Sequence, residues 1–170
     1  MTESLFLSYS VRKLRQLQER IAECVGRLTD EQVWARHSDA ENAAGNLLLH
    51  LSGNVRQWIV SGIGGQADRR TRDQEFAAQG GLTRQELLSR LAETLDEAVA
   101  VMESLPPRRL AETIRPQNYD VSVLEAIYHV VEHFSMHTGQ IIFATKLLTG
   151  RDLGFYAHLS GKAEKGHPVP

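Results

Sequence analysis

The sequence predicts an all-α domain, a four-helix bundle. Four stretches place apolar residues at three- and four-residue steps, and clear start and stop signals separate them. Convincing strand alternation is confined to positions 110–117, and nothing repeats at a fixed period.

The first stretch carries Leu5, Tyr9, Leu14, Leu17, Ile21, Val25 and Leu28, with Arg, Gln and Glu between them, which describes an amphipathic helix of about six turns. Thr29-Asp30 interrupts it. A polar, cap-forming run through Trp34, His37, Ser38 and Asp39 follows, and a second helix is expected from about Asn42 to Ile59 or Ser61. Gly62, Gly64 and Gly65 mark its end.

Thr83 and Glu86 have the capping-box spacing. Leu87, Leu88, Leu91, Leu95, Val99 and Met102 then trace a third helix, stopped by Pro106-Pro107. After a short segment that fits a small hairpin, a fourth long helix is carried by Val123, Leu124, Ile127, Val130, Val131, Phe134, Ile141, Ile142 and Leu148, ending at Gly150.

The polar link at 63–82 is longer than the two to eight residues that usually join antiparallel neighbours. It therefore predicts a crossover that leaves the second and third helices parallel, an up-down-down-up arrangement.

The 170 residues (19.0 kDa) make one domain over 1–170, with a polar tail from about 160. A net charge of −2 and a pI near 6.4, without a concentrated basic run, argue against nucleic acid. No signal-peptide pattern opens the chain and nowhere do 18 apolar residues run together, so a cytoplasmic protein with no membrane partner is expected. The single cysteine, Cys24, allows neither an internal disulfide nor a thiolate-rich metal site, and reads as a buried, inert thiol.

Chemistry concentrates on the fourth helix. His129, His133 and His137 are spaced by four and so share one face. An i, i+4 pair of neutral imidazoles chelates zinc, nickel, copper or iron well. His50, among Leu47, Leu48, Leu49 and Leu51, is the natural third ligand, because an unpaired imidazole in that setting is costly. By spacing alone, ordinary hydrogen-bonded histidines remain the commoner explanation.

Two segments shift that balance: NLLLHLSGNVRQW at 46–58 and HFSMHTGQIIFATKLLTG at 133–150. Both resemble the DinB-like (DinB/YfiT-type) metal-binding four-helix bundles, and the likeness extends through RTRDQEF at 70–76 to cover most of 40–150. The resemblance implies one divalent metal, zinc or nickel before iron, copper or manganese, held by His50, His133 and His137. It also implies parallel second and third helices, a homodimer and, as in relatives that use them, a low-molecular-weight thiol. It assigns His129 no ligand role.

Around these residues, Asn54 lies one turn after His50 and Gln140 just beyond His137, so both, with His129, are candidates to line the pocket or orient what the metal holds. Gly139 costs a helix interior about 1 kcal/mol relative to Ala, which suggests close approach by another backbone or a ligand, a helix crossing being the plain explanation. Glu132 points about 100° away from His133 and reads as a solvent-facing charge. Arg69, Arg70 and Arg72, interleaved with Asp68, Asp73 and Glu75, read as a solvated, self-paired loop. Trp34 and Trp58 read as packing.

The expected function is that of a metal-dependent enzyme acting on a small molecule, a hydrolase or a thiol-dependent transferase, in which the cation acidifies a bound water or thiol. The alternative is a non-catalytic, stress-related bundle that binds a metal or small molecule, the metal pinning the second helix to the fourth.

Overall fold

The computed structural model describes residues 1–159, and the polar tail expected beyond them lies outside the described residues. Its long elements are α1 (Thr2–Gly26), α3 (Ala44–Val55), α5 (Arg84–Glu103) and α6 (Val123–Thr149). Two short helices, α2 (Asp30–Val33) and α4 (Arg72–Ala77), lie in the connections, and a two-residue antiparallel ladder joins β1 (Thr113–Ile114) to β2 (Val121–Ser122). The four long helices match the four apolar stretches, and the ladder occupies the segment read as a small hairpin.

Local chemistry accounts for the boundaries. Thr29, Thr83 and Ser122 each accept a hydrogen bond from a backbone N–H three residues on, while Gln32, Glu86 and Glu125 reach back to the cap, so α2, α5 and α6 all begin with reciprocal capping. Gly150, at φ 63°, ends α6 in the left-handed region.

One feature has no counterpart in the sequence reading. Beyond Val55 the helix continues through Arg56–Ser61 as a π-helical turn, with Gly62 N–H donating to Gln57 O at 3.0 Å and Gly64 N–H to Ile59 O at 2.9 Å.

The helices run up-down-down-up. Trp34 lies over Gly45 at the start of α3 and donates Nε1–H to Leu82 O (2.8 Å) just before α5, and at the far end Gly64 abuts Val101, so α3 and α5 are parallel. Arg84 at the start of α5 bonds the carbonyls of Gly26 and Leu28 at the end of α1, which makes α1 and α5 antiparallel. Arg27 bonds Asp152 O (3.2 Å), so α1 and α6 both finish at that same end. α3 and α6 are antiparallel, His50 facing His133 and Asn54 facing His129.

Leu14, Ile21, Leu48, Leu51, Leu95 and Phe134 are fully buried at the centre. Among the described residues no helix is long and apolar enough to cross a membrane. Cys24 is buried and unpaired, and burial pushes its thiol up to about 11, in line with an inert core residue.

Leu95→Ala removes a core side chain from α5, a helix that supplies none of the clustered histidines. It should lower stability by about 2–5 kcal/mol in urea denaturation while leaving the histidine cluster unaltered.

Candidate metal centre

Because α3 and α6 are antiparallel neighbours, His50 meets the His133–His137 pair in the bundle core. The ring nitrogens of the three converge: His50 Nε2 lies 3.0 Å from His133 Nε2, and His137 Nε2 lies 3.1 Å from the same atom. A tetrahedral cation bound to each imidazole at about 2.0–2.1 Å holds its nitrogens about 3.3 Å apart, and the two separations from His133 Nε2 are within a few tenths of an ångström of that. The three histidines form a group that could hold a metal ion.

The outward-facing nitrogens decide the tautomers. His137 Nδ1 donates to Gln140 Oε1 at 2.6 Å, and His50 Nδ1 donates to Glu75 Oε2 at 3.0 Å. With a proton on each Nδ1, both Nε2 atoms present bare lone pairs to the shared space. His133 Nδ1 is buried without a partner among the described residues. Burial, followed by the His137, His50 and His129 rings, drives the His133 imidazole down to about 3, and burial lowers His137 as well. The donor set is nitrogen-only and convergent, which fits a borderline divalent cation.

His129 stands one turn away and outside this group. Its ring packs on Trp58 (centroids 4.2 Å apart) and runs nearly parallel to His133 at 5.5 Å, and Asn54 Nδ2 is 3.5 Å from its Nε2. Trp58 sits on the π-helical turn with its Nε1 buried and unpartnered, and Asn54 Oδ1 is likewise buried without a partner. Gln140 takes the place expected of it beside His137, and Glu132 is exposed.

Two sequence readings need correction. Arg70 and Glu75 do pair with each other, but not in a solvated loop: their side chains are only 4% and 11% exposed, joined by Arg70 Nε to Glu75 Oε1 (2.7 Å) and Arg70 Nη2 to Glu75 Oε2 (2.8 Å). Burial raises the Glu75 carboxyl, and the hydrogen bonds from Arg70 and His50 more than reverse that, leaving its pKa below the usual carboxylate value. Phe76, the next residue, lays its ring 4.6 Å from that of His50. The reason composition misled is that α4 folds this polar stretch onto α3, and burial does not follow from local charge.

The second correction concerns Gly139. Among the described residues nothing lies within 4 Å of where its Cβ would be, so none of their helices crosses there. It sits on the outer face of α6, between exposed Met136 and Phe143.

A groove of about 630 Å³ runs between α6 and the segment leading into α3, walled by Leu47, Met136, Phe143 and Leu147 among others. It touches the cluster only through Gln140, on the Nδ1 side of His137, so it lies behind that imidazole rather than at the converging nitrogens.

Removing one partner of a buried ion pair strands the other charge. Arg70→Met should therefore cost about 3 kcal/mol or more in denaturation of the metal-free protein, where Arg69→Met, at an exposed position, should cost under about 0.5 kcal/mol.

Comparison with known proteins agrees with this architecture. Residues 2–160 match the family described as protein of unknown function DUF1572. No curated protein matches the chain. A conserved protein from Enterococcus faecalis superposes with a TM-score of 0.70 at 16% identity, covering 85% of this chain and 97% of its own. The DinB-like protein YjoA from Bacillus subtilis does so with a TM-score of 0.67, also at 16% identity, covering 87% of this chain and 97% of its own. The chain belongs to the DUF1572 family, and its fold is similar to that of the DinB-like protein YjoA.

Proposed function

We propose that this protein is a divalent-metal enzyme whose cation is held by Nε2 of His50, His133 and His137, and that it works as a hydrolase or a thiol-dependent transferase on a small molecule. The observation that carries the reading is the convergence of three imidazole nitrogens, His133 Nε2 lying 3.0 Å from His50 Nε2 and 3.1 Å from His137 Nε2. A cation seated among the three nitrogens would turn this close approach into coordination.

A divalent cation so held is a Lewis acid that acidifies a water or thiol ligand. Three protein ligands are the number found in catalytic sites, which keep a coordination position for solvent or substrate, where structural sites use four. The chain's own groups do the rest. Glu75 and Gln140 hold two rings in register, and the apolar wall of Phe76 and Trp58 limits water around them. Asn54 and His129 place hydrogen-bonding atoms one turn from the ligands, where they can orient a bound molecule. Zinc or nickel suits the all-nitrogen set best, and a low-molecular-weight thiol is the co-substrate to try first.

Protein purified without a His tag should carry about one equivalent of zinc or nickel by elemental analysis. His133→Ala should abolish that stoichiometry, while His129→Ala should retain it. Activity in a screen of thiols with electrophilic substrates should appear only in the metal-loaded form. Full activity in metal-free His133→Ala protein would sink the catalytic reading.

The homodimer belongs to the same proposal, with a second copy packed on the outer face of α6. Tyr128, Met136 and Phe143 are more than half exposed there, and Gly139 between them leaves its backbone open to close approach. Phe143→Glu should convert a dimeric species to monomer in sedimentation, and a wild-type monomer at micromolar concentration would refute the assignment.

A further inference from the structure

We infer that Glu75, seated by Arg70 in the space that Gly53 leaves, is the positioning residue that aims His50 at the cation and sets its donor strength. This inference rests on the metal reading above and deepens it.

The geometry has three parts. Glu75 uses both oxygens: Oε1 accepts from Arg70 Nε, and Oε2 accepts from Arg70 Nη2 and from His50 Nδ1. Arg70 is tied in turn, donating through Nη1 to Gln57 Oε1 (2.9 Å) and through Nη2 to the His50 carbonyl (3.4 Å). Arg70 Nη2 also lies 3.1 Å from His50 Nδ1, so the guanidinium sits beside the ring, and the carboxylate cannot swing without breaking a two-pronged ion pair. Gly53, one turn beyond His50 less a residue, supplies the room: a Cβ there would run into Glu75 Oε1 and come within 2.8 Å of Arg70 Nε.

Bare stability does not call for this arrangement. Six residues of a surface connection are drawn against α3, and two charges are desolvated, an exchange that often gains nothing over apolar packing. The arrangement does give His50 a full carboxylate acceptor on the nitrogen away from the cluster, where His137 has a neutral amide and His133 has no partner among the described residues. Arg70 cancels the net charge of Glu75, so its contribution is a directed acceptor rather than a field. An imidazole that donates its distal N–H to a carboxylate is locked in one tautomer and one orientation and becomes a stronger ligand. Phe76 closes the same side against the His50 ring.

The test is a double-substitution cycle read by zinc affinity, using chelator competition on full-length folded protein. Glu75→Ala and Gly53→Ala should each weaken zinc binding by about 10- to 100-fold with stoichiometry still one, the second because its methyl group displaces the carboxylate. On the Glu75→Ala background, Gly53→Ala should have no further effect, since the group it displaces is already gone. If Glu75→Ala does not fold, Gly53→Ala decides alone, because it keeps every charge. Variants that bind zinc within twofold of wild type, or losses that simply add in the double variant, would overturn the assignment while leaving the metal site standing. A wild-type protein that takes up no stoichiometric metal would overturn both, and is a distinct result.

Discussion

Three imidazoles occupying one small volume of a helix core form the constraint around which the rest is arranged. Protonated together, they would repel in a setting that already resists charge. The chain commits the outward nitrogens of His50 and His137 to acceptors, which turns their Nε2 lone pairs toward the shared space. A core built this way could hold a metal ion.

That arrangement depends on topology. His50 and His133 are 83 residues apart, and they meet because α3 and α6 are antiparallel neighbours. With only four long helices, α3 lies beside both α6 and α5, and the crossover at 63–82 sets its direction relative to α5. The crossover is not idle chain: α4 returns along the flank of α3 and delivers Glu75 and Phe76 to the far side of His50. Asn46 ties that return down by donating to the carbonyls of Glu75 and Ala78.

The fold was legible because helix periodicity and capping chemistry are local. Thr83 with Glu86 and Ser122 with Glu125 announce their helices within four residues, and the apolar positions of α5 and α6 are the ones the core buries. The three histidines were legible as a candidate group for a related reason, the pair through helix spacing and His50 through its apolar flanks and a family likeness. Other features were not. The buried pair Arg70–Glu75 looks like any interleaved charge run, since its burial depends on where a loop lands. The π-helical turn at Arg56–Ser61 leaves no mark in apolar spacing that distinguishes it from ordinary helix. Gly139 signals a missing side chain, yet not whether the space it leaves faces inward or out.

The parallel placement of α3 and α5 has an electrostatic corollary. With α1 and α6 running the opposite way, each end of the bundle gathers two helix N-termini and two C-termini, so the macrodipoles oppose one another and act only over terminal turns. His50, His133 and His137 all lie well inside their helices, beyond that reach. A positive charge brought among them feels no helix field worth the name, and whatever steadies it must come from side chains, of which the carboxylate on α4 is the one already in hydrogen-bonding contact with the cluster.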